Sequence, residues 1–278
     1  MLSQWDCFLK NLGEWHGSFT HFSPKGKELK DTPTIVTLEG RQDNQAVHQV
    51  VRYLPSNQPS RDVVVDYSKN SLNRSILFFE TGAFSQGSMQ WGPYSTFGGE
   101  FGLNYGDRRL RMVELYNNSS QLEKVVLIRE KLPTSKTPER PILTVESLLG
   151  EWQGEAVTMY ADLRNPNHFS THLQIAKITS DRIEQKLSFG DRTITSSAKI
   201  DNSRLLFETN SLPIQILLLP DGASCNCPLE VKLGHHFVLE MGWLLEPNKR
   251  QRIIRSYNEK GNWTGCTLVT ETKVVSSY

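Results

Sequence analysis

Apolar and polar positions alternate along most of the chain with a period of two. In the first half IVTLEG from Ile35, VHQVVRY from Val47, RDVVVDY from Arg61, RSILFFE from Arg74 and GEFGLNY from Gly99 predict strands rich in β-branched and aromatic residues. Asn, Gly, Pro and Asp turns punctuate them. HLQIAKI, DRIEQKLSF, RTITSSAKI, RLLFE, PIQILLL, HHFVLEMGWLL, QRIIRSY and WTGCTLVTE continue the style in the second half. Short polar connections such as SKNS and DRTI favour hairpins, which join antiparallel neighbours. Helical spacing is confined to Ser3–Leu12, with Trp5, Phe8, Leu9 and Leu12 on one face, and to Pro141–Leu149. Ser3 is placed to cap the first, and Pro141 or Thr144 to start the second.

Each of these helices runs into the same phrase. Leu12–Gly17 reads LGEWHG and Leu149–Gly154 reads LGEWQG, 137 positions apart. Near the end of each half, Arg111–Lys131 and Arg252–Lys273 align without a gap at an offset of 141, pairing Arg111 with Arg252, Tyr116 with Tyr257, Asn117 with Asn258, Leu127 with Leu268 and Glu130 with Glu271. LFFETGAFS from Leu77 and LLLPDGASC from Leu217 form a weaker third pair. Ordered landmarks at near-constant separation predict a tandem duplication. KLPTSKTPERP, with three prolines, divides the copies and sets expected boundaries at 1–133 for the first domain, 134–141 for the linker and 142–278 for the second. Many short antiparallel strands in each copy need protected edges, and closing a barrel removes edges altogether. The expected fold is therefore all-β: two tandem antiparallel barrels, each preceded by a short helix.

Within the repeated phrase, Gly13 and Gly150 stand where helix gives way to strand, a corner that favours a residue without a side chain. Trp15 and Trp152 follow as the first inward residues and are expected to fill the closed end of each barrel. Arg111 and Arg252 are expected to stack on these rings or to tie the barrel end to its helix.

The short helix, the G-x-W at the first strand (Gly13-Glu14-Trp15 and Gly150-Glu151-Trp152), the late-strand Arg and the meandering strands resemble the lipocalin or calycin superfamily. The chain also resembles a cyanobacterial and plastid-associated family built from two such domains. Within the superfamily, the S- and T-type phycobiliprotein lyases are similar in domain plan. The resemblance implies a linear tetrapyrrole as ligand and a phycobiliprotein as partner; it supplies no catalytic residues.

A barrel interior can hold a small ligand. The richest aromatic supply lies in Gly82–Gly106, where Phe84, Trp91, Tyr94, Phe97, Phe101 and Tyr105 alternate with glycines that let strands bend and a flat ligand approach. Arg52, Arg108 and Arg109 are candidate rim anchors for a carboxylate. Glu114 shares a strand face with Met112 and Tyr116, and its counterpart in the second half is Arg255. If that face is interior, Glu114 is a buried carboxylate available to a ligand; otherwise it faces water.

Composition narrows the readings further. Thirty-one basic and thirty acidic residues leave a net charge of +1, and no basic run marks a nucleic-acid surface. The longest apolar run, ILLL at Ile216–Leu219, is too short to span a bilayer, and the opening residues lack a signal-peptide pattern, so cytoplasmic localisation is expected. Four unevenly spread cysteines predict free thiols. Cys225, Cys227, His235 and His236 do not have a usual zinc spacing, so no metal is expected, and no cofactor is required. No Ser-His-Asp order, P-loop or dinucleotide fingerprint is present, and whether the chain is an enzyme stays open. Three readings remain: binding of a hydrophobic or amphipathic small molecule, delivery of a bilin to a protein cysteine, and a protein-interaction module with filled barrels.

Overall fold

The structure, a computed structural model, describes residues 2–207 and 212–274. Glu208 of the RLLFE segment and the last four residues of the second domain lie outside them. The chain order is α1 (Gln4–Leu9), β1 (Gly13–Phe22), β2 (Glu28–Arg41), β3 (Ala46–Tyr53), β4 (Arg61–Ser68), β5 (Ile76–Phe78), β6 (Phe84–Gly87), β7 (Phe97–Tyr105), β8 (Arg108–Tyr116) and β9 (Leu122–Lys131). Then follow α2 (Val145–Leu148), β10 (Gly150–Met159), β11 (Asn167–Thr179), β12 (Arg182–Phe189), β13 (Arg192–Asp201), β14 (Arg204–Phe207), β15 (Ile214–Leu218), β16 (Ala223–Pro228), β17 (Phe237–Glu246), β18 (Lys249–Tyr257) and β19 (Trp263–Lys273). Capping boxes start both helices, Ser3 with Asp6 and Thr144 with Ser147.

The expectation of two closed barrels is corrected by the sheet topology. The second half closes, with β10 to β19 paired in order and β19 returning to β10. The first half is an open, curled nine-stranded sheet in the order β4-β3-β2-β1-β9-β8-β7-β6-β5, with β4 and β5 as its edges. The cause is one strand. Residues 202–213 of the second half include a turn and β14, whose Arg204–Phe207 pairs both β13 and β15. The equivalent residues 69–75 of the first half form a short 3-10 turn and polar connection, too brief for a strand, and β5 has three residues. The seam that β14 zips in one copy therefore stays open in the other.

The repeated phrase is explained at atomic level. Gly13 and Gly150 hold φ at +133° and +112°, a region costly for any residue with a Cβ. Trp15 and Trp152 are buried, and their indole N–H groups donate to Asn11 O at 3.1 Å and Leu148 O at 2.9 Å, the last turns before each strand. The phrase ends on Gly17 and Gly154 because strands crowd there. A Cβ on Gly17 would sit 1.9 Å from Arg129 O, and one on Gly154 would sit 2.6 Å from Thr171 Oγ1.

The two halves share one core. The outer faces of β6 to β8 and of β16 to β18 pack against each other, joining Phe97, Phe101, Met112 and Tyr116 to Phe237, Leu239, Met241 and Tyr257. Phe97 meets Tyr257 edge-on at 5.0 Å, and Phe237 stacks on Tyr257 at 4.8 Å. The connecting loops exchange backbone hydrogen bonds in matching pairs. Trp91 N donates to Gly261 O and Val231 N to Ser120 O; Trp263 N donates to Met89 O and Leu122 N to Leu229 O. Such reciprocity is the mark of a twofold-related interface, here between copies within one chain. The alternation of β8 is lost from Arg108 to Met112 for this reason: inner residues face the sheet interior and outer residues face the other half, so both are buried there.

Candidate ligand-binding site

The inward rows of the second barrel build its interior in layers. Trp152 forms the floor with Leu173, Ile183, Ala198, Leu205 and Leu218. Over the Trp152 ring lies the Arg250 guanidinium, 4.9 Å from the ring centroid. Arg250 Nε donates to Glu271 at 2.8 Å, Arg252 Nη2 donates to the other oxygen of Glu271 at 2.8 Å, and Arg252 Nη1 reaches Glu240 at 3.2 Å. Two guanidiniums thus meet two carboxylates. Burial alone would raise the Glu271 carboxyl, yet Arg250 and Arg252 hold it down to about 2.

Above this polar shelf the walls are apolar. Phe169, Leu187, Ile194, Val238, Ile254 and Val269 line a cavity of about 350 Å³. Thr171 Oγ1 and Asn226 Oδ1 lie at the shelf, buried and without a hydrogen-bond partner among the described residues. Unpaired buried polar atoms are costly, and a ligand's polar end or ordered water satisfies them. A closed barrel with such an interior is compatible with small-molecule binding.

The first half repeats the shelf with different surroundings. Arg109 lies 4.5 Å from the centroid of Trp15 and donates to Glu130 at 2.7 Å; Arg111 joins Glu130 and Glu100 at 2.9 and 2.8 Å. Burial notwithstanding, Arg109 and Arg111 lower the Glu130 carboxyl to about 2. Phe8, Tyr67, Phe78 and Phe84 crowd the space beside it, leaving about 70 Å³. A second hollow of about 580 Å³, lined by Phe19, Tyr53, Val113 and Leu115, lies among β1 to β4, β8 and β9.

The aromatic residues singled out in the first half are dispersed by the structure. Phe84 lines the small interior space, whereas Phe97, Phe101 and Trp91 are buried in the shared core. Tyr94 is exposed, and Tyr105 hydrogen-bonds Glu246 of the second half. Arg52 pairs with Asp62 on the surface, Arg108 with Asp221 between the halves, and Arg109 with Glu130 inside. Glu114 is buried between the halves rather than inside a barrel or in water, and burial first, then the Cys227 sulfur, pushes its carboxyl well above the ordinary range. Arg111 and Arg252 bind the shelf glutamates, and the ring-stacking role falls to Arg109 and Arg250 two positions earlier. The shelf glutamates carried a signal, since Glu130 and Glu271 align in the repeat. The Arg two places upstream occurs in both copies too, as Arg109 and Arg250.

A solved structure of a protein of unknown function from the DUF3598 family of the cyanobacterium Nostoc punctiforme shares 47% identity with this chain, covers 99% of it and 100% of its own length, and superposes with a TM-score of 0.93. The chain belongs to the DUF3598 family. The N-terminal model of that family, described as a domain of unknown function, matches residues 1–135. Residues 139–274 match the family described as "Biogenesis factor required for ATP synthase 1, C-terminal domain". Weaker likeness extends to the S-type phycobiliprotein lyase of Guillardia theta (13% identity, 48% of this chain and 92% of that one, TM-score 0.35). Lipid binding protein 8 of Caenorhabditis elegans is similarly distant (14% identity, 48% and 99%, TM-score 0.32). At these scores neither carries anything over to this DUF3598 member. No curated protein matches the chain. No described helix is long and apolar enough to cross a membrane.

Proposed function

We propose that this DUF3598 protein binds a hydrophobic or amphipathic small molecule in its second barrel. The observation that carries the reading is the pairing of a 350 Å³ apolar cavity with two unpartnered polar atoms, Thr171 Oγ1 and Asn226 Oδ1, at its inner end. Glu240 and Glu271 already pair with the shelf arginines, so the inner end suits a neutral hydroxyl, amide or carbonyl better than a carboxylate. The volume lies at the small end of ligand pockets, which favours a compact ligand. A linear tetrapyrrole would leave part of its length outside. The probe N-phenyl-1-naphthylamine, apolar with one N–H, is expected to bind with one-to-one stoichiometry and enhanced fluorescence. Ile254→Trp, which fills the cavity from β18, is expected to weaken it more than about tenfold, because the added ring occupies the same space. Equal binding by wild type and variant would place the probe elsewhere and remove this reading.

A second reading rests on the match of residues 139–274 to the ATP synthase biogenesis family: the chain assists assembly of that enzyme by binding a subunit. The exposed edge strand β4, with Val63, Val64 and Val65 all open to solvent, gives such a partner a place to add a strand. Co-migration with isolated ATP synthase subunits tests it.

A further inference from the structure

The twofold-related positions Glu114 and Arg255 are both completely buried where the halves meet, yet they bear opposite chemistry. Arg255, on β18, reaches into the first half. Its guanidinium donates to Ser75 O at 3.3 Å and to Gly87 O and Ser88 O at 3.2 Å, with Tyr257 Oη at 2.7 Å and the Trp263 ring 3.7 Å away. A fixed cation thus sits among oxygen acceptors near β6. In the repeat, Ser85 and Gly87 of β6 correspond to Cys225 and Cys227 of β16.

On the matching side, Glu114 of β8 faces those two cysteines. Cys225 and Cys227 are two apart on one strand and share a face, with Sγ atoms 3.7 Å apart. A carboxylate oxygen of Glu114 and both sulfurs all lie within 4.8 Å of one another. Neither oxygen of Glu114 has a hydrogen-bond partner among the described residues. A buried carboxyl with both oxygens unpaired carries an unmet cost. One side of the interface holds a cation; the other gathers three groups that become anionic donors on losing a proton.

We propose that Glu114, Cys225 and Cys227 form a binding site for a thiophilic d10 cation, Zn2+ in the first instance, between the two halves. The sulfur spacing fits. Two thiolates on tetrahedral zinc, at about 2.3 Å each, stand about 3.8 Å apart. A carboxylate oxygen bound at about 2.0–2.2 Å completes three protein ligands and leaves one position open. Two sulfurs with one oxygen favour zinc over the hard ions magnesium and calcium. The ligands come from β8 of the first half and β16 of the second, so the ion clamps the halves together. The cysteines lack a usual zinc spacing because the third ligand comes from the other half of the chain.

The site is buried, so loading is best done by refolding the full chain from urea with metal present. With Co2+ as the probe, the refolded wild type is expected to take up one ion per chain, with thiolate-to-cobalt absorption in the near ultraviolet and tetrahedral bands in the visible, displaced by Zn2+. Cys225→Ser and Cys227→Ser are expected to abolish the near-ultraviolet band. Glu114→Gln, which keeps the side chain's shape and leaves both cysteines in place, is expected to weaken Co2+ by at least about tenfold, since losing a direct ligand costs no less than losing a supporting one. No charge-transfer band in refolded wild type overturns the proposal, as does a band that persists in the cysteine variants. Unchanged Co2+ affinity in Glu114→Gln overturns it also, and that variant decides the matter if the cysteine variants do not fold.

Discussion

Glu271→Gln is expected to destabilise the second barrel by about 3–5 kcal/mol at neutral pH, the usual cost of breaking a buried ion pair by removing one partner. Arg250 would remain buried over Trp152 without a carboxylate partner, and Arg252 would keep only Glu240. Urea unfolding followed by near-ultraviolet circular dichroism measures the loss; less than about 1 kcal/mol would mean that the shelf is not a structural unit. The same substitution changes the acid response. The Glu271 carboxyl is lowered in the folded chain from an ordinary 4.5 to about 2, so its contribution is complete above pH 4.5 and disappears as pH falls toward 2. Wild type should therefore lose stability steeply across that interval and Glu271→Gln less steeply. Glu130 would keep a similar dependence in the first half, where its carboxyl is also held at about 2.

Arg255→Ala is expected to cost about 2–5 kcal/mol and to split a single unfolding transition into two. The side chain is wholly buried and donates to three backbone carbonyls of the first half. Its removal takes a donor from Ser75 O and Gly87 O, leaves Ser88 O to the Tyr257 hydroxyl, and empties the space over Trp263, at the contact that couples the halves. Arg255→Met separates the two causes, because it restores most of the volume without the hydrogen bonds. If both variants unfold in one transition within 1 kcal/mol of wild type, the halves are not coupled through this residue.

Much of this organisation was legible in the sequence because the duplication samples the same constraints twice. A glycine that needs positive φ and a tryptophan that closes a floor leave their identities in both copies, as Gly13 and Gly150, Trp15 and Trp152 show. The open seam of the first half was not legible. Its cause is the missing equivalent of β14, and the RSILFFE segment reads as a strand of ordinary length although only Ile76–Phe78 pairs. The aromatic residues of Gly82–Gly106 are dispersed for a related reason. An aromatic residue signals burial but not which surface buries it, and Phe97, Phe101 and Trp91 answer to the other half of the chain. Glu114 illustrates the same limit. Period-two reasoning allowed inside or water, whereas a third environment, the outer face covered by a second copy, exists only once the halves are docked.

Ligand binding turns on the cavity of the second barrel. A crystal grown with N-phenyl-1-naphthylamine tests it most directly. Density is expected between Phe169, Leu187, Val238 and Ile254, with the probe's N–H directed at Thr171 or Asn226 and the first-half interior unchanged. Density only in the cleft of the first half, or a second barrel whose side chains have collapsed to fill the space, would contradict it.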